Sequence, residues 1–236
     1  MTEERSLQVF NYDDAVLAEF PTTRAGLVHA RALVNGPSPA ALVAEYQSEQ
    51  RAVAERLATM AIAELPSIAA WRRVFTRFGA KPTQYRSAAE ALLRRLAKHG
   101  DIPPINTLVD IGNLVSIRYA MPVAVVDLAG VTGMITVRFA AGDEQFTDLG
   151  SSASVHPEPG EVIFADEAGR VSARRWCWRQ SAQSATTEST VDALFIVEGQ
   201  HEAGAVDVTA ATDDIIALLG RYQLNSTVHS SLIAPN

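Results

Sequence analysis

The spacing of apolar residues changes once along this chain, near Pro122, and that change constrains the fold more than any other feature. Before it, apolar residues recur with helical spacing, as at Leu42, Tyr46 and Val53. After it they alternate, as over residues 134–139, which is typical of β-strands. Helices followed by strands and a last helix predict the α+β class, with a helical cluster packed on a mostly antiparallel β-sheet in a single domain.

Capping and turn residues divide the chain into its predicted elements. Ser87 and Glu90 form the S-x-x-E pattern of a capping box, which is the clearest helix start in the sequence. The predicted helices cover residues 38–60, 66–78, 87–99, 106–119 and 209–222. The predicted strands cover residues 16–20, 26–34, 123–128, 134–139, 162–165, 170–176, 191–197 and 227–233.

Positive charge is concentrated in one stretch of an otherwise acidic chain. Of 20 Lys and Arg and 27 Asp and Glu residues, eight basic residues and one acid lie between positions 72 and 98, a local balance of +7. The 12 and 26 that remain elsewhere balance to −14. Charged helix surfaces are often only solvated, but they usually mix both signs, so we expect this stretch to dock a polyanion through its phosphates. The candidate phosphate-binding residues are Arg72, Arg73, Arg77, Lys81, Arg86, Arg94, Arg95 and Lys98.

Other features limit the class of protein. The single cysteine, Cys177, excludes an intrachain disulfide and is typical of a reducing, cytoplasmic location. The first ten residues lack the apolar stretch of a signal peptide, and no apolar run approaches the roughly 18 residues of a membrane span. The five histidines are scattered and there is one cysteine, so we expect no metal site. The sequence contains no phosphate loop and no dinucleotide fingerprint, so we expect no cofactor. A monomer is the expected state.

Three segments occur in an order that is typical of one family. The segment INTLVDIGNLVSIRYAMPVAVVD at 105–127 follows FGAKPTQYRSAAEALLRR at 78–95 and precedes RWCWRQS at 175–181. Together, over residues 71–197 of the 1–236 domain, they resemble the B-three/B-four tRNA-editing domain of the phenylalanyl-tRNA synthetase beta subunit. They resemble its free-standing relatives more closely still. The resemblance implies an enzyme that hydrolyses the ester bond of a mischarged tRNA.

The resemblance also implies a set of site residues. Asn113 matches the editing pocket and is assigned a catalytic role, although a buried amide can equally serve the core by bonding backbone groups. Asp127 and Thr190 match substrate-binding positions, and for Asp127 the alternative is a turn-forming role. The synthetase pattern P-x-H-A-F-D reads PVAVVD here, so that Ala124 replaces its histidine.

The segment at 175–181 adds further candidates. Trp176, Trp178 and Gln180 are predicted to share one face of a strand, with Arg179 on the other. Packing is the preferred role of the two tryptophans, although aromatic and guanidinium planes also suit an unpaired CCA end. Arg179 and Gln180 are assigned to substrate binding.

The main hypothesis is a trans-acting aminoacyl-tRNA deacylase that binds the acceptor end and acts as a second sieve. Resemblance to the synthetase suggests tyrosyl-tRNA(Phe) as substrate, whereas some free-standing relatives suggest canavanyl-tRNA(Arg). Loss of the histidine favours the second, a cationic substrate, for which Asp127, Asp148 and Glu161 are candidate partners. The alternatives are a non-catalytic tRNA-binding module and an amino-acid-binding regulatory protein.

Overall fold

The computed structural model describes residues 9–235, and it confirms the α+β class. The expectation of no signal peptide rests mostly on residues 1–8, which lie outside the described residues. The described part forms six α-helices: α1 (Asp14–Glu19), α2 (Ala40–Leu57), α3 (Pro66–Arg77), α4 (Ala88–His99), α5 (Thr107–Tyr119) and α6 (Gly204–Tyr222).

The strands form two main sheets, in which most pairs are antiparallel. The strands are β1 (Phe10–Tyr12), β2 (Arg24–Arg31), β3 (Val123–Asp127), β4 (Ile135–Phe139), β5 (Phe146–Thr147), β6 (Ser154–Val155), β7 (Val162–Ala165), β8 (Val171–Arg174), β9 (Arg179–Gln180), β10 (Asp192–Gly199) and β11 (Thr227–Ile233). The central sheet has the order β11-β2-β10-β3, and the outer sheet has the order β1-β4-β7-β8-β9, with β1 and β4 parallel. A small third sheet pairs β5 with β6.

Both faces of the central sheet are buried, which places it in the middle of three layers. Along β10, Phe195 and Val197 pack into the core formed with α2, α4, α5 and α6. Leu194 and Ile196 pack into the second core, with the outer sheet and α3. Because strand side chains alternate between faces, a strand buried on both sides reads as a continuous apolar run, as β10 does.

The predicted caps of the two central helices are confirmed. Ser87 accepts a hydrogen bond from the Glu90 backbone N–H at the start of α4, and Gly100 ends that helix with a φ of 78°. Asn106 caps α5 by accepting from the Val109 N–H. The Glu90 carboxylate does not complete the capping box, because it bonds to Arg72 and Arg94 instead.

Two predicted strands differ from the structure. Residues 16–20 lie mostly in α1, which Asp13 caps by accepting from the Ala15 N–H, so the strand prediction there is wrong. The strand predicted over residues 170–176 ends at Arg174, because Arg175 and Trp176 adopt φ values of 44° and 59°, which turn the chain. The two tryptophans of this segment therefore do not share a strand face.

The packing of α6 on the central sheet depends on a glycine in β2. A Cβ atom built at Gly26 would lie 1.9 Å from Thr212 Oγ1 and 3.1 Å from Val208 Cγ1, both on α6. Thr212 is itself fixed, because its hydroxyl donates to the Val208 carbonyl. The helix axis can approach the sheet this closely only where the strand has no side chain.

We predict that Gly26→Ala lowers the free energy of unfolding by about 2 kcal/mol, because overpacking of this kind moves α6 off the sheet. The matched control is Gly220→Ala, which lies on α6 itself and has no atom near the added Cβ. It should raise the free energy of unfolding by roughly 0.5–1 kcal/mol through helix propensity. Urea unfolding of both variants measures the difference. Equal effects of the two substitutions would contradict this account of the packing.

Candidate functional site

A pocket of about 60 Å³ opens between the central and outer sheets. Apolar side chains from both sheets line it, including Ala124 on β3 and Ala173 on β8. Glu198, near the end of β10, lies at its buried side, and Arg179 lies at its exposed side. At roughly 10–15 Å³ for each water molecule, this pocket has room for a small chemical group.

Glu198 is the carboxylic acid among the residues that line this pocket. Its position in β10 turns it toward the face that carries Leu194 and Ile196, so the strand buries the carboxylate between the sheets. Its Oε1 accepts hydrogen bonds from the Tyr12 hydroxyl at 2.5 Å and from Trp176 Nε1 at 2.7 Å. Burial raises the pKa of Glu198 to about 7, although the two hydrogen bonds act in the opposite direction.

The neighbours of Glu198 remain protonated near neutral pH. Burial and the nearby Glu198 carboxylate raise the pKa of the Tyr12 hydroxyl well above its ordinary value. The same two causes raise the pKa of the Cys177 thiol, which also lines the pocket. A thiol is nucleophilic only as its thiolate, so Cys177 is poorly suited to nucleophilic attack. Glu198 is therefore the group of this cluster that changes charge near pH 7.

Two of the predicted substrate-binding residues line the pocket. Gln180 donates from Nε2 to the carbonyls of Val125 at 2.7 Å and Ser184 at 2.9 Å, and so joins β9 to the central sheet. Arg179 is half-exposed and forms an ion pair with Asp148. The amide of Gln180 is thus held in place, whereas the guanidinium of Arg179 faces solvent.

The other predicted carboxylates are bonded within the protein. Asp127 accepts from the Thr190 hydroxyl at 2.6 Å and from the Ala129 N–H at 2.9 Å, at the end of β3 away from Ala124. These contacts bring the two predicted residues Asp127 and Thr190 together, but neither lines the pocket. Glu161 accepts from two nitrogens of Arg174, at 2.9 and 2.8 Å, in a buried ion pair.

Asn113 lies on the other side of the central sheet from the pocket. It belongs to α5, whose neighbouring residues Ile111 and Leu114 pack into the helical core. Gly112 lets α5 approach β3, because a Cβ there would lie 2.7 Å from Val125 Cγ2. The structure therefore separates Asn113 from Gln180 and Arg179.

The basic stretch forms a surface around one buried acid. Arg72 and Arg94 donate to Glu90 Oε1 at 2.9 and 2.8 Å, and Arg86 Nε lies 4.0 Å from the same oxygen. Arg72, Arg73 and Arg77 also line an open concavity beside α3. Arg77 pairs with Glu19 of α1. The exposed members of the stretch are Arg73, Arg77, Lys81, Arg86, Arg95 and Lys98.

Sequence reasoning missed Glu198 and Tyr12. A charged residue in the apolar strand DALFIVEG was the available signal, since an ionised carboxylate is rarely buried without a partner. Among the described residues, no group of three or more His, Cys, Asp and Glu side chains is placed to hold a metal ion. No helix within residues 9–235 has the length and apolar character needed to cross a membrane.

We predict that Glu198 makes the protein less stable as pH rises. In the unfolded chain Glu198 has its ordinary pKa of 4.5, and in the native state its pKa is about 7. Between these two pH values the native state therefore binds more protons than the unfolded chain. Relative to Glu198→Gln, the wild type should lose about 3 kcal/mol of unfolding free energy across that range. Urea unfolding of both proteins at pH 4.5 and pH 8 measures the change, and parallel pH profiles would contradict it.

Comparisons with known proteins identify relatives of this chain. Residues 70–213 match the family model of the B3/4 domain. The phenylalanine–tRNA ligase beta subunit of Shewanella oneidensis is 31% identical over 88 residues, which are 37% of this chain and 11% of that protein. A solved N-terminal fragment of the phenylalanyl-tRNA synthetase beta subunit from Pyrococcus horikoshii aligns with a TM-score of 0.49 and 11% identity, over 98% of this chain and 55% of the fragment.

This chain thus spans only part of the length of the beta subunits that it matches. The family model, by contrast, covers more than half of the chain, from α3 into α6, and includes the basic surface, the pocket and β10. This protein belongs to the B3/4 domain family.

Proposed function

We propose that this protein is a cytoplasmic, trans-acting aminoacyl-tRNA deacylase, which binds the acceptor end of a mischarged tRNA and hydrolyses its aminoacyl ester. The observation that carries the proposal is a buried carboxylate, Glu198, in a small pocket of a protein that also has a basic surface. Kinship with a region of phenylalanine–tRNA ligase supports a substrate drawn from translation.

In this proposal the wrong amino acid enters the pocket, and Glu198 contacts the polar end of its side chain. The carboxylate suits this role because Tyr12 and Trp176 hold Oε1 in place from behind. A cationic side chain would stabilise the ionised form of Glu198 and replace the water lost on burial. Glu198 thus takes the part that sequence reasoning gave to Asp127 or Glu161, whose oxygens already have partners.

Hydrolysis itself needs little from the protein, because an aminoacyl ester is already an activated bond. Water attacks the ester carbonyl, the carbon–oxygen bond to the ribose breaks, and the ribose oxygen leaves with a proton. The proposal assigns polarisation of the carbonyl oxygen to Arg179, which lines the exposed side of the pocket. Holding the ester and a water together supplies the remaining rate increase, with the neighbouring ribose hydroxyl assisting.

The decisive experiment measures release of amino acid from a panel of labelled aminoacyl-tRNAs that includes canavanyl-tRNA(Arg) and tyrosyl-tRNA(Phe). We expect hydrolysis of the cationic substrate, and we expect Glu198→Gln to reduce it about a hundredfold, since an unpaired buried cation costs several kcal/mol. The same variant should change hydrolysis of tyrosyl-tRNA far less. Equal losses on both substrates would show that Glu198 acts in catalysis or structure and does not select the side chain. If the wild type hydrolysed none of the substrates, the protein would instead be a tRNA-binding module or a regulatory protein.

Two further variants compare the pocket with the predicted site residues. Asp127→Asn should leave the ratio of the two substrates unchanged, because Asp127 bonds to Thr190 outside the pocket. Asn113→Ala tests the catalytic role that the sequence assigns to Asn113. A loss of turnover per folded molecule would support that role, whereas a loss of stability alone, of about 1–3 kcal/mol, would make Asn113 structural.

The basic surface is proposed to bind the phosphates of the tRNA. Arg73 lines the concavity, is exposed and has no acidic partner among the described residues, so it can contact phosphate directly. Arg94 is poorly suited to a test by charge reversal, because Arg94→Glu would place a second carboxylate beside Glu90.

We predict that Arg73→Glu weakens tRNA binding about tenfold at moderate salt and lowers the slope of log K against log salt by about 1. The control is Arg51→Glu on α2, which makes the same change of charge on an exposed residue outside the basic stretch. Filter binding at several salt concentrations measures both. Equal weakening by the two variants would show that net charge, not this concavity, governs binding.

A further inference from the structure

Four side chains beside the pocket form a continuous stack of aromatic rings and guanidinium groups. The Arg175 guanidinium lies 4.0 Å from the centre of the Tyr85 ring and 4.9 Å from that of Trp178. The Arg179 guanidinium also lies 4.9 Å from the Trp178 ring. The two rings meet edge to face, with centroids 5.0 Å apart. Two cations and two rings thus alternate, and Arg179 is the exposed end of the stack.

The turn at residues 175–178 presents this stack. Trp176 anchors the turn, since its side chain is fully buried, its backbone N–H donates to the Val162 carbonyl and its indole N–H donates to Glu198. Arg175 and Trp176 both have positive φ, which costs energy for residues other than glycine. Because the turn carries Trp176 into the core, Trp178 lies at the edge of the pocket. Arg175, whose side chain is 14% exposed, pairs with the buried Glu161 at 3.6 Å.

The stack lies between the pocket and the basic surface. Trp178 and Arg179 line the pocket directly. Tyr85 lies in the link between α3 and α4, where its backbone N–H donates to the carbonyl of Lys81. Tyr85 and Trp178 are half-buried, and the side chain of Arg179 is 48% exposed. Arg179 pairs with Asp148 while its plane lies against Trp178, so the stack ends on a guanidinium that solvent can reach.

We propose that this stack binds the unpaired 3′ nucleotides of an RNA, with a base extending the stack at Arg179. The inference rests on the proposed function and specifies where the end of the tRNA lies. Flat faces without a fixed set of hydrogen-bond donors accept any base, so binding is tolerant of sequence. A nucleotide held here brings the ester on its ribose to the pocket that Trp178 and Arg179 line. The exposed arginines of the concavity beside α3 complement the RNA backbone.

The test is the binding of a single-stranded ACCA oligonucleotide that carries no amino acid, so its outcome does not depend on ester hydrolysis. Trp71 and Trp176 are buried, and Trp178 is the third of the three tryptophans, so quenching of intrinsic fluorescence reports on the stack. We expect ACCA and UUUU to quench the wild type with similar affinity and AMP to bind at least tenfold more weakly. AMP binding as tightly as the tetranucleotides would overturn the proposal in favour of a mononucleotide site.

Variants of the stack separate stacking from charge. Trp178→Ala should weaken binding of a labelled ACCA, measured by anisotropy, about tenfold or more, while Trp178→Phe keeps the affinity and abolishes the quenching. Arg179→Lys keeps the charge but not the plane, and it should weaken binding nearly as much as Arg179→Ala. Arg51→Ala is the control for loss of a charge elsewhere. Unchanged binding in folded Trp178→Ala, or full binding in Arg179→Lys, would overturn the proposal.

Discussion

Burial of both faces of the central sheet is the constraint on which the rest of this structure depends. A four-stranded sheet with apolar residues on each side must be covered twice, once by the helices and once by the outer sheet. Close contact on the helical side depends on two glycines, Gly26 under α6 and Gly112 on α5. On the other side the cover consists of the outer sheet, α3 and one strained turn, and there the pocket opens.

One residue breaks the apolar pattern of that sheet, and the candidate site is built around it. Glu198 follows Leu194 and Ile196 on the face toward the outer sheet, where an ionised carboxylate is costly. Tyr12 and Trp176 donate to it from the outer layer and limit this cost. Trp176 also anchors the turn that carries Trp178. Through its hydrogen bond to Trp176, Glu198 therefore helps to fix the position of Trp178 and Arg179 at the edge of the pocket.

Charge is organised in the same way on the helical surface. Glu90 is buried at the start of α4 and forms ion pairs with Arg72 and Arg94, while Arg73 and Lys98 remain exposed. One internal acid therefore fixes part of a basic surface without neutralising it, in a chain whose net charge is −7. In the proposed function, selection of a side chain and attraction of a polyanion belong to separate parts of the molecule, which single substitutions can distinguish.

The sequence alone determined the α+β class, the caps at Ser87 and Asn106, the basic stretch and the family, because these features depend on spacing, local hydrogen bonds and residue order. It misplaced residues 16–20, since a helix of six residues offers too few apolar positions to show a period.

Only the tertiary structure decided which polar residues lie together. Asp127 and Thr190 bond to each other, Asn113 lies across the central sheet, and Glu198 enters the pocket. Sequence spacing cannot show this, because strand pairing across β3, β10 and the outer sheet joins residues far apart in the chain. The chemical character of a carboxylate is then decided by its burial and its partners, which exist only once the layers have packed.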